Sequence, residues 1–165
     1  MRTETKKINI YKYEELSKEG QEKALNNHIE NNQYDFLSDD LDEYARELLK
    51  EKGVSIENDF KVMYDFSYSQ GSGSQINGVF RIKNTTIYIR HSGSYYHEKA
   101  INYIEEENKE GEELETFKYY DLFQEIFKDI TKQGYKYIES EDSEENFKDL
   151  CECNEYEFLS SGKMW

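Results

Sequence analysis

Hydrophobic and polar positions alternate most strictly in the middle of the chain. From Phe60 onward, Val62, Tyr64, Phe66 and Tyr68 fall on every second position, with Lys61, Met63, Asp65, Ser67 and Ser69 between them. That is the period of a strand with one buried face. The pattern predicts a turn at Gln70–Ser74, then strands over Ile76–Lys83 and Thr85–Arg90 hinged at Asn84. A second polar loop, His91-Ser-Gly-Ser-Tyr-Tyr-His97, leaves the last of these strands.

On either side the period changes to that of helices. Ser17 is placed to cap a helix that puts Ala24, Leu25, His28 and Ile29 on one face, where His28 reads as a packed residue. Leu41, Tyr44, Ala45, Leu48 and Leu49 form the clearest stripe, with Ser38 as the expected cap and Gly53 as the stop. Asp39, Asp40 and Asp42 then occupy a first turn, where the helix dipole favours negative charge. A long helix is expected from about Leu114, with Phe117, Tyr120, Phe123, Phe127 and Ile130 inward; Gly134 is a place for a kink or end, or the pattern continues through Tyr135, Tyr137 and Ile138. Ser143 should cap a shorter helix that buries Phe147, Leu150 and Cys151. Lys7–Tyr13 and Glu155–Phe158 read as short β segments. His97–Asn108 is open: propensity favours a helix with Ala100, Ile101 and Ile104 inward, alternation a further strand.

Helices flanking a local meander give an α+β fold, an antiparallel β-meander of three to five strands packed on one face by several helices. At 165 residues, without an internal repeat or low-complexity linker, residues 1–165 are expected to form one domain. Aromatics at 15% argue for a packed core, since disordered chains are poor in them. The net charge of −15, from 36 acidic against 21 basic residues, opposes binding to long DNA or RNA and favours either simple solubility or a basic partner. Cys151 and Cys153 are too close in sequence to pair easily and lack nearby histidines for zinc, so they read as reduced thiols in the cytoplasm. No apolar run approaches membrane-spanning length, so no membrane association is expected.

Three places carry candidate chemistry. Tyr68 and the Gln70-Gly71-Ser72-Gly73 turn have the glycines of an anion-binding nest, but not the spacing of a phosphate loop. Arg90, His91, Ser92, Tyr95, Tyr96 and His97 combine a cation, titratable rings and stacking surfaces. They suit a small-ligand pocket better than a metal site or a nuclease using His91 and His97. Glu105, Glu106, Glu107, Glu110, Glu112, Glu113 and Glu115 form a carboxylate-rich segment suited to a basic protein. No catalytic set, cofactor or metal is indicated.

Four stretches occur in a recognisable order: ELSKEGQEKA from Glu15, FSYSQGSGS from Phe66, HSGSYYH from His91 and NEYEFLSSGKMW from Asn154. Together they resemble a family of small acidic phage and prophage proteins, some labelled antitoxins of toxin–antitoxin systems. The resemblance leans toward a strand near Glu98–Glu107. Where the family often has an acidic residue between the loop glycines, this chain has Ser72, which removes a carboxylate from the turn. With the charge, it leads to an expected phage counter-defence inhibitor of the anti-CRISPR kind. Such a protein would bind a basic host defence protein, such as a CRISPR effector, by imitating nucleic acid in the host cytoplasm. Sequestration of a small signalling nucleotide is the alternative, and an antitoxin the third.

Overall fold

The computed structural model describes residues 7–91, 93–97, 103–107 and 119–165. It shows the α+β architecture, with helices α1 (Lys18–Asn31), α2 (Leu37–Glu51), α3 (Tyr120–Glu141) and α4 (Glu144–Cys153). Strands β1 (Ser55–Asp65), β2 (Gly73–Ile82), β3 (Thr85–Arg90) and β4 (Tyr103–Glu107) form one antiparallel sheet in chain order. Contacts gather into two compact units, Asp35–Tyr137 and the paired ends Met1–Tyr34 with Ile138–Trp165.

In the central unit α2 ends as its sequence dictates. Gly53 takes φ +73, its N–H donates to the Lys50 carbonyl, and Val54 donates to that of Leu49. This paired arrangement satisfies carbonyls that a helix end would otherwise leave open. The start differs from expectation: Phe36, not Ser38, holds the N-cap position and gives no side-chain cap, while Asp40 N–H donates to the Phe36 carbonyl. The helix begins two residues early because Leu37 is drawn into the core, where it is buried with Leu41, Ala45, Leu48 and Leu49.

Immediately after Val54 the chain enters β1, five residues before the strict alternation begins. Irregular register between Ile56 and Lys61, with Asp59 at φ +54, breaks the period there. At its far end β1 stops at Asp65, short of the expected Tyr68, because the Asp65 carboxylate accepts the Ser67 N–H and bends the chain. The expected β2 gains three residues at its start, down to Gly73, while β3 matches expectation. Residues 103–107 form β4 opposite β3, so strand prevails over helix there. Ala100 and Ile101 lie outside the described residues.

One sheet face, carrying Val62, Ile76, Phe80, Ile82, Ile87 and Ile89, is buried with Phe123, Ile126, Phe127 and Ile130 of α3. Phe80 and Phe123 have ring centroids 5.4 Å apart. Gly134 does not end α3, which runs on to Glu141. It lies beneath the Phe66 ring, and a β-carbon there would collide with that ring. Residues 114–118 of the expected long helix lie outside the described residues.

In the other unit Ser17 caps α1 by accepting from Gly20 N–H, and Ser143 caps α4 by accepting from Asn146 N–H, both as expected. Tyr13, Leu16, Ala24, Phe147, Cys151 and Phe158 form its core. His28 packs as expected, stacked on Phe147 with centroids 4.6 Å apart. The two expected terminal strands shrink to single bridges, Tyr11 with Phe158 and Phe158 with Met164. Tyr13–Glu15 winds instead into a short 3-10 turn that buries Tyr13. No helix among the described residues is long and apolar enough to cross a membrane.

Candidate functional site

The two Gly/Ser loops, twenty residues apart in sequence, meet at one end of the sheet. Tyr96 donates its backbone N–H to the Gly71 carbonyl at 2.7 Å. From the first residues of β2, the Gln75 amide donates to the His97 carbonyl at 2.7 Å. Asn77 accepts the His91 N–H at 2.7 Å. Gly71 lies against the Tyr95 ring, and Gly73, at φ +149, lies against the backbone of Tyr96 and His97. The glycines therefore serve close packing of one loop on the other.

This contact changes the chemistry of the turn. An anion nest needs successive N–H groups that converge on open space. Here Ser67 N–H goes to Asp65, Ser69 N–H to the Ser72 hydroxyl and Gly71 N–H to the Ser69 hydroxyl. Ser72 N–H goes to the Ser69 carbonyl, and Ser74 N–H to the Thr131 hydroxyl at 2.9 Å. An anion would have to displace these bonds. Tyr68, at φ +57, and Tyr95 remain exposed, while Tyr68 leans on Tyr135 with centroids 4.9 Å apart.

His91 is buried, its Nε2 is 3.1 Å from the Gly93 carbonyl and its ring lies beside that of Tyr96. It holds the loop shape. His97 contributes its carbonyl to Gln75, and its ring stands 6.5 Å from that of Tyr95. Ser92 lies outside the described residues. Gln75 is fully buried, and among the described residues its Oε1 has no hydrogen-bond partner.

The sheet face opposite the helices carries a feature that sequence reasoning missed. Lys61 pairs in register with Asn77, and Asn77 stands opposite Arg90, since Gly78 pairs with Ile89. Tyr88 is two residues from Arg90 on the same strand face. These side chains, with Asp59, Val79 and His91, line a groove of about 460 Å³. The signal in the sequence is the polar half of each strand's alternation, from which the sequence singles out Arg90 and His91 but not Lys61, Asn77 or Tyr88.

The expected acidic segment is described only in part. Glu105, Glu106 and Glu107 stand in β4 opposite Tyr88, Ile87 and Thr86, while Glu110, Glu112, Glu113 and Glu115 lie outside the described residues. A second acidic row lies on α2, where Asp39, Glu43 and Glu47 are exposed and border a groove of about 630 Å³ against β1. Asp42 in the same groove is paired with Arg46 at 2.6 Å. Among the described residues no group of three or more His, Cys, Asp or Glu is arranged to hold a metal. Comparison with protein-family models, curated proteins and solved structures found no match.

Proposed function

We propose that this chain acts by binding a basic protein through its acidic exterior, as a phage counter-defence inhibitor that imitates nucleic acid toward a host effector. The row Asp39, Glu43 and Glu47 supports the reading most directly. Residues four apart on a helix are separated by about 6 Å along the axis, and a nucleic-acid strand carries a charge about every 3.4 Å of axis. The row therefore matches roughly every second phosphate. Among the described residues none of the three carboxylates has an ion-pair partner, whereas Asp42 beside them does. Unpaired surface charge of one sign speeds encounter with an oppositely charged cleft. The likeness of the loop and C-terminal motifs to small phage proteins supplies the biological setting.

Plating a phage on bacteria with active CRISPR immunity, with and without the chain expressed, tests this. The expected result is restored plating with the wild-type chain and none with Asp39→Lys/Glu43→Lys/Glu47→Lys, a variant whose exposed sites leave folding intact. Unchanged plating with the wild-type chain, or full activity of the reversed variant, overturns it.

A further inference from the structure

The groove on the open sheet face sets two cations, Lys61 and Arg90, beside one carboxylate, Asp59. In a chain of net charge −15, Lys23, Lys52, Lys132, Lys148, Arg46 and Arg81 each lie within ion-pairing distance of a carboxylate. Among the described residues Lys61 and Arg90, like Lys50, Lys83 and Lys128, have no such partner; what sets these two apart is that strand register brings them together on one exposed face. They stand on β1 and β3 with Asn77 of β2 between them. Strands lie about 4.8 Å apart, so the two backbones are about 10 Å apart across the row. That leaves room for one anionic group seated over Asn77 and reached by both long side chains.

The floor of the groove is fixed. The Asn77 amide is held at both ends by His91, its Oδ1 taking the His91 N–H and its Nδ2 facing the His91 carbonyl at 3.4 Å. Tyr88, half-buried, lines the groove two residues from Arg90 on the same strand face. At about 460 Å³ the groove falls in the range of small-molecule sites. The carboxylate of Asp59 at its rim is suited to accept from ligand hydroxyls or amino groups.

We propose that this face binds a mononucleotide, its phosphate between Lys61 and Arg90 and its base against Tyr88. Arginine offers a planar fork for phosphate oxygens and lysine a mobile point charge, and base–aromatic stacking adds affinity without demanding one base. The size of the groove and the surrounding negative field select a single nucleotide over a strand, whose many phosphates would meet carboxylates beyond the groove.

Isothermal titration of the whole chain with the four ribonucleoside 5′-monophosphates, inorganic phosphate and adenosine tests the assignment. The expected result is saturable binding of at least one monophosphate below about 1 mM, with phosphate and adenosine each at least about tenfold weaker. Losing one charge-assisted contact should weaken binding roughly tenfold or more in Lys61→Ala and in Arg90→Ala. Tyr88→Leu should weaken nucleotide binding while leaving the weak phosphate binding unchanged. Lys83→Ala, in the exposed β2–β3 turn, should bind as the wild type does. Arg90→Gln keeps the side-chain stem and guards against loss of fold, checked by melting temperature. No binding of any monophosphate, equal affinity for free phosphate, or unchanged binding in Lys61→Ala/Arg90→Gln overturns the proposal. Lys61 also lines the groove beside the α2 carboxylates, so the Arg90 and Tyr88 variants, which lie outside that groove, keep this result and the plating result apart.

Discussion

Gly73 and Tyr96 approach so closely that a β-carbon on Gly73 would lie 2.6 Å from the Tyr96 carbonyl oxygen. Both sides of that contact are backbone, so neither can swing away. Gly73 also holds φ +149, which side-chain-bearing residues rarely adopt. Gly73→Ala should therefore cost about 1–3 kcal/mol from strained backbone alone, and should loosen the second loop. Urea denaturation measures the first effect. Faster amide hydrogen exchange at Tyr96, whose N–H bonds Gly71, reports the second. Wild-type protection in the variant would show that the loops hold together without this contact.

Gly134 offers a test in which propensity and packing oppose each other. Alanine in a helix interior is favoured over glycine by about 1 kcal/mol. Here the added methyl meets the ring of Phe66, itself buried and packed on Tyr64 and Tyr135. Overpacking of this kind costs about 1–3 kcal/mol. Gly134→Ala is expected to lower the denaturation midpoint, and Gly134→Ala/Phe66→Leu to recover part of the loss. A more stable single variant would show that the ring moves freely.

His28 keeps its ring stacked on Phe147 while its buried Nε2 has no hydrogen-bond partner among the described residues. Leaving such a group unsatisfied costs about 1–3 kcal/mol. His28→Phe preserves the stack and removes the stranded nitrogen, so it should raise stability by about 1 kcal/mol. A drop in melting temperature would mean that the nitrogen serves a bond in solution.

The two cysteines should separate chemically. Cys151 is buried, and burial pushes its thiol up to about 11, whereas Cys153 is exposed. The thiolate is the reactive form. A thiol reagent at pH 8 should label Cys153 quickly and Cys151 only on unfolding, as mass spectrometry of the peptides would show.

The same burial makes stability depend on alkali. The folded thiol titrates above its ordinary value of 9.0, so the folded state keeps a proton that the unfolded chain gives up first. Its contribution is complete below about pH 9 and is lost as pH rises through about 11. Tyr13, in the same core, is shifted upward too, chiefly by burial and then by Glu144. Melting temperature should fall between pH 9 and 11, and fall less in Cys151→Val. An equal slope in both proteins would remove the thiol from the account.

What the sequence determined by itself was whatever rests on local pattern. The stripe from Leu41 to Leu49, the caps Ser17 and Ser143, the Gly53 stop and β3 follow from side-chain period and from groups only a few residues apart. Tertiary structure decided what depends on distant partners. Gly134 leaves open in the sequence whether the helix ends or runs on, and the structure carries it on with Phe66 laid over the glycine. The turn glycines read as an anion nest until Tyr95 and Tyr96 fill the space and the serines take up the N–H groups. Lys61, Asn77 and Arg90 are scattered in sequence, and only strand register sets them in one row. Helical period and capping are written within a few residues of chain, whereas a shared surface is made by the pairing of strands, which no single stretch contains.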